Sequence, residues 1–177
     1  MDLLIPDWPA PAHVQARVTT RRGGVSAAPY ASFNLGDHVG DGAAAVAENR
    51  SILREVLPAE PLWLKQVHGS GIVTADQAVG VPEADGSVTR QAGCVCAVLT
   101  ADCLPVLFCD RRGTVVAAAH AGWRGLADGV LEAAVAAMAA EPGEILAWLG
   151  PAIGPQAFEV GEEVRQIFMV HDPAAAL

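Results

Sequence analysis

Basic residues are scarce in this chain. Lys and Arg total 11 against 20 Asp and Glu, a formal charge of −9, and no basic run is longer than a pair. Nucleic-acid binding rests on a basic face that neutralises phosphates, so DNA or RNA is not expected as a partner. Long apolar runs are also missing, and no stretch approaches the roughly 20 residues of a membrane-spanning helix. The start, MDLLIPDWPAP, has an acid at position 2 and prolines at 6, 9 and 11. It lacks a basic n-region and a sufficient apolar segment, so no signal peptide is read there. The four cysteines are then expected as reduced thiols in the cytoplasm rather than as disulfides. Internal repeats and low-complexity linkers are absent too.

What remains is a chain of 177 residues, 52% hydrophobic and 18% charged. That length and composition suit one globular domain, 1–177, with a sizeable core. Alternating and apolar runs predict strands at 13–20, 61–67, 72–75, 94–100, 104–109, 114–120 and 145–149. The short connection from Asp110 to Gly113 predicts that the strands on either side of it are antiparallel neighbours. Helices are predicted at 43–57, with Asp41 as N-cap and Val46, Ile52, Leu53 and Val56 as buried stripe, at 126–140, and at 161–169. Residues 77–89 read as loop. Strands and helices mix without strict alternation, so the expected class is α+β.

The segment from Cys94 to Leu126 carries the most chemistry. Cys103 follows the Thr100-Ala101-Asp102 break, and His120 ends a strand before Ala121-Gly122-Trp123-Arg124-Gly125. His68 has a similar address, before Gly69-Ser70-Gly71. Two imidazoles and a thiolate at neighbouring strand ends could converge as a zinc site with a fourth position open for water or substrate. Singly, each is also what a buried cysteine or a hydrogen-bonded histidine looks like. Cys94 and Cys96 share one face of their strand and read as core thiols, with completion of a closed structural site as the alternative. Trp123 between two glycines could wall a pocket. Arg124 at a helix start, and Arg21 with Arg22 ahead of Gly23-Gly24, could hold a phosphate or carboxylate.

Several blocks together resemble the YfiH-type family, first labelled laccase-domain or polyphenol oxidase and later described as purine nucleoside phosphorylases. They are Lys65-Gln66-Val67-His68-Gly69, Thr100-Ala101-Asp102-Cys103-Leu104-Pro105-Val106, His120 to Gly125, and Gly150-Pro151-Ala152-Ile153-Gly154-Pro155. Thr20-Arg21 with Gly23 to Ser26, and Asn34-Leu35-Gly36 with Val39-Gly40-Asp41, match its N-terminal blocks. The resemblance runs through nearly the whole chain in order. It implies a layered α/β/β/α arrangement of mixed sheets and zinc on His68, Cys103 and His120.

The resemblance further implies phosphorolysis of adenosine, inosine and guanosine, with methylthioadenosine as a further substrate, and adenosine deamination as a side activity. For phosphorolysis Arg21, Trp123 and Arg124 meet nucleoside and phosphate, and for deamination Asp102 or Asp85 moves protons. A toxin family of similar fold implies an alternative, a hydrolase with Cys103 as nucleophile and His120 as base. The laccase label implies copper, which could occupy the same three donors. Five histidines are fewer than a blue copper centre plus a trinuclear cluster requires, so a multicopper oxidase is not expected of this chain. Family members continue for several tens of residues beyond the last matching block, so the sequence is expected to be partial at its C-terminus. Many also carry cysteines where this chain has Gln156 and Ala157, and nothing resting on those cysteines transfers.

Overall fold

The computed structural model describes residues 1–176. Its strands are β1 (Leu3–Leu4), β2 (Val18–Thr19), β3 (Ile72–Thr74), β4 (Gly86–Thr89), β5 (Leu104–Asp110), β6 (Val116–Ala121) and β7 (Ile145–Leu149). The α-helices are α1 (Ala43–Arg54), α2 (Trp123–Ala127), α3 (Val130–Met138) and α4 (Glu162–His171). β1 and β2 form a small antiparallel ladder, and the other five strands form one sheet in the order β3-β4-β6-β5-β7. In that sheet β3 and β4 are parallel and every other pairing is antiparallel. The expected α+β class with a mixed sheet is what the chain adopts.

β6 is nearly all alanine, and its small side chains let α3 lie close against the sheet. Val130, Ala134 and Met138, spaced four apart along α3, are completely buried on it. They meet Val106 and Phe108 of β5 and Ala117, Ala119 and Ala121 of β6. Burying side chains such as Val130 and Met138 stabilises the fold by about 1.5–3 kcal/mol each. Alternation along β6 then turns Ala118 and His120 to the other face. The core of one face thereby aims His120 away from itself.

Several expectations need correction. The strand expected over 94–100 is a single bridge, Cys96 to Leu62, and that over 61–67 is two bridges, at Leu62 and Lys65. Backbone pairing there stops at a few bonds, among them Leu62 N–H to the Val95 carbonyl at 3.2 Å and Lys65 N–H to the Pro82 carbonyl at 2.9 Å. Only Val18–Thr19 of the strand expected at 13–20 pairs, because its partner β1 is two residues long. The stretch taken as loop contains β4, whose glycine start allows close approach to β6: a Cβ on Gly86 would lie 2.7 Å from the Ala118 carbonyl oxygen. The helix expected at 126–140 is two helices, broken where Gly129 takes φ 84°. Asp41 is not the N-cap of α1. That position belongs to Gly42, and the Asp41 carboxylate accepts from Asn34 Nδ2 at 3.0 Å and from the Gly42 amide at 2.8 Å. Val56 lies beyond the helix and is 41% exposed, while Asn49, polar and unforeseen, is buried in its place.

Candidate metal centre

Three loops meet at one end of the large sheet, where β4 and β5 begin and β6 ends. Cys103 immediately precedes β5, whose Leu104 and Pro105 pair with Ala121 and His120. Register alone therefore sets the thiol beside His120. His68 lies outside the sheet, in a turn where it takes φ 60°. Its ring stands edge-on to that of His120, with centroids 4.8 Å apart and planes at 77°. Nitrogen, sulfur and nitrogen donors of His68, Cys103 and His120 lie within 4.8 Å of one another. His120 is buried, Cys103 half-buried and His68 exposed, so the cluster opens to solvent on the His68 side.

Asp85 lies under this cluster, the residue before β4. Its carbonyl accepts the His120 main-chain N–H at 2.7 Å, and its carboxylate faces His120 Nδ1 at 2.8 Å. The same carboxylate accepts the amides of Val67, His68 and Gly69 at 3.1, 2.9 and 2.8 Å. Burial raises the pKa of this carboxyl. The hydrogen bonds from His120 and the three amides outweigh that and hold it below the usual carboxylate range.

Gly122 closes the cluster from above. A Cβ there would lie 2.9 Å from His68 Cδ2 and 3.0 Å from Cys103 Sγ. Gly125, one turn into α2, packs so tightly on the His68 turn that its Cβ would sit 2.7 Å from the Gly69 carbonyl oxygen. Burial, then the negative charges of Asp102 and Asp85, raise the Cys103 thiol above its ordinary value.

The donor set fits a borderline metal ion. Tetrahedral zinc with N and S ligands needs donors about 3.4–3.6 Å apart, a contraction of roughly an ångström from the widest spacing here. Two imidazoles and a thiol, with acid charge nearby to offset a dication, suit zinc or copper better than a hard ion. Among the described residues this is a three-donor group, so a fourth coordination position would be free for water or substrate.

Other residues singled out from sequence lie variously. Cys94 and Cys96 stay outside the cluster, and burial pushes the Cys96 thiol up to about 12. Asp102 is exposed, and its carbonyl accepts the Ile153 amide at 2.9 Å, which ties the Gly150 to Pro155 block to the Cys103 loop. Trp123 begins α2, and the Arg124 guanidinium lies 4.3 Å over its ring. Arg21 turns Nε and Nη2 to the Ala31 carbonyl at 3.1 and 2.9 Å. Asp85, weighed from sequence only as a proton carrier, is the organising acid here. Its local signal was slight, an acid among Ala84, Gly86 and Ser87, small neighbours that permit burial.

Residues 15–177 match the family model described as multi-copper polyphenol oxidoreductase laccase. The chain is 61% identical over 166 residues to purine nucleoside phosphorylase PA4543 of Pseudomonas aeruginosa, covering 94% of this chain and 68% of that protein. It is 55% identical over 177 residues to purine nucleoside phosphorylase YfiH of Escherichia coli, covering 98% and 73%. The crystal structure of Neisseria meningitidis protein NMB0706 superposes with a TM-score of 0.95 at 54% identity, covering 99% of this chain and 73% of that one.

Proposed function

Since the chain belongs to the multi-copper polyphenol oxidoreductase laccase family, whose similar relatives are named purine nucleoside phosphorylases, we propose that it is a zinc-dependent purine nucleoside phosphorylase. Its substrates are adenosine, inosine and guanosine, with methylthioadenosine a further one, and adenosine deamination is a side activity. His68, Cys103 and His120 hold the metal. The observation that carries this reading is the solvent-reachable convergence of those three donors from three separate loops.

Phosphorolysis joins a phosphate oxygen to C1′ of the ribose as the bond to the purine breaks, leaving ribose 1-phosphate and free base. A bound dication would supply a positive centre that attracts oxyanions. The chain's own residues do the rest. Arg124, exposed two residues beyond Gly122, binds a phosphate oxygen, and Arg21 is the second cation offered to it. Trp123, half-buried at the start of α2, gives the base an apolar wall. In the deamination, Asp102, exposed beside Cys103, moves protons between the attacking water and the base.

Copper could occupy the same donors by its higher place in the affinity order. The multi-copper label finds a single three-donor cluster among the described residues, which favours a mononuclear site.

One observation favours a second reading. Cys103, His120 and Asp85 stand in the order nucleophile, base and orienting acid, as in a thiol hydrolase. Against it, reactive thiols have lowered pKa values, and burial and two acids raise this one. His68 also has no part in that scheme.

The test is incubation of zinc-loaded protein with adenosine and inosine, with and without phosphate. Ribose 1-phosphate formed only with phosphate supports the phosphorylase. Inosine from adenosine without phosphate reports the deaminase. Neither product, together with turnover of a small thioester that thiol alkylation abolishes, would replace the proposal by the hydrolase.

The described residues contain no helix long and apolar enough to cross a membrane. We place the activity in the cytoplasm, where nucleosides and phosphate are both supplied.

A further inference from the structure

The three donors are not the only residues the centre depends on. Asp85 has no exposed surface, and its two carboxylate oxygens face four N–H groups. Oδ1 takes the His68 amide and His120 Nδ1, while Oδ2 takes the amides of Val67 and Gly69. We propose that Asp85 is a positioning residue for the metal centre. It fixes the His120 tautomer that presents the other ring nitrogen unprotonated to the ion, and it holds His68 in the left-handed turn that brings its ring to the same point. This inference rests on the metal reading of the cluster.

The first half follows from donor and acceptor types. Three main-chain amides, which can only donate, already make both Asp85 oxygens acceptors, and the ring nitrogen at 2.8 Å completes that set as a fourth donor carrying its proton. A neutral imidazole carries one proton, so Nε2 keeps its lone pair, as a metal ligand must. The acid also makes that lone pair a stronger donor.

The second half follows from the backbone. A histidine at φ 60° is in a region that side chains with a Cβ enter at a cost. Three successive amides converging on one carboxylate form an anion nest that offsets it. The two ligands thus share one anchor, although they come from loops far apart along the chain.

Asparagine at 85 keeps the shape and loses the function. It has one accepting oxygen and one donating nitrogen, so one pair of N–H groups must face a donor. If the amide nitrogen turns to His120, Nδ1 must accept, and the proton moves to Nε2.

The experiment uses the full chain, metal-free and then titrated with zinc against a chromophoric chelator. Long-range proton–nitrogen NMR should show His120 protonated at Nδ1 in the wild type. D85N should weaken zinc binding by about 10- to 100-fold while keeping its far-UV circular dichroism and cooperative urea transition. His120 protonated at Nε2 in the wild type would overturn the proposal, and that measurement needs no variant to fold. Zinc affinity of folded D85N within threefold of wild type would overturn it as well. A wild-type chain that binds zinc no better than C103A would instead sink the metal reading itself, and the positioning role for an ion with it.

Discussion

Gln66 holds Leu99 by both ends of its side-chain amide: Nε2 donates to the Leu99 carbonyl at 2.8 Å, and the Leu99 amide donates to Oε1 at 2.7 Å. A side chain thus fills the pairing positions of Leu99 that a neighbouring strand would use. Two residues after Gln66 comes His68, and four after Leu99 comes Cys103. The clamp therefore registers the two loops that carry the candidate donors His68 and Cys103. Q66A should cost about 1–3 kcal/mol, since two half-buried backbone groups lose their partners. The urea midpoint should fall and zinc affinity with it. An unchanged midpoint would show that water replaces the amide without loss.

Gly122 is a steric rather than a conformational requirement. Its φ of −62° and ψ of 156° are open to any residue. The added methyl of G122A would fill the space between Cys103 and His68. Thermal stability should be nearly unchanged while phosphorolysis falls by about 100-fold, as expected for groups displaced by an ångström. Lost zinc stoichiometry together with normal turnover in G122A would remove the cluster from the reaction.

Gly129 presents the converse case. Its Cβ would meet only Glu132 Oε2 at 3.6 Å, an ordinary contact, yet its φ of 84° suits glycine alone. G129A should destabilise by about 1–2 kcal/mol through the backbone alone. A more stable variant in urea unfolding would mean that the two helices can merge into one.

Stability should fall in acid through Asp110. Burial raises the pKa of its carboxyl, but the Thr114 hydroxyl and the amides of Val115 and Thr114 outweigh this and hold it below the ordinary range. A group lowered in the folded state contributes stability that is complete above the unfolded pKa of about 3.9 and is lost as pH falls through the folded value. Urea unfolding of wild type should weaken steadily below about pH 4, and D110N should show a shallower acid slope. Equal slopes would rule out Asp110 as a source. Asp85 shifts in the same direction, so part of the slope should persist in D110N.

Much of the architecture was legible residue by residue. β5, β6 and β7 fall within a residue or two of where apolar runs placed them, and the Asp110 to Gly113 turn foretold the antiparallel pairing of β5 with β6. β4 was not legible, because Gly86-Ser87-Val88-Thr89 has one large apolar side chain and follows an acidic loop. The 94–100 run has strand composition without strand pairing, since alternation states which side chains can be buried and not which backbone will sit opposite. Asp85 was passed over as a site organiser for a related reason. A carboxylate satisfied by backbone amides leaves no trace in sequence, because every residue except proline offers the same N–H.

Sequence alone determined the mixed α and β class, four of the five strands of the central sheet and the three side chains with the right donor chemistry. Those depend on residue type and short-range period, which are local properties. Tertiary structure decided that the three meet, that Gly122 must leave room above them, and that one buried acid serves two histidines from distant loops. Convergence of that kind is set by strand register and backbone hydrogen bonding between segments far apart along the chain, and neither is written in any local pattern.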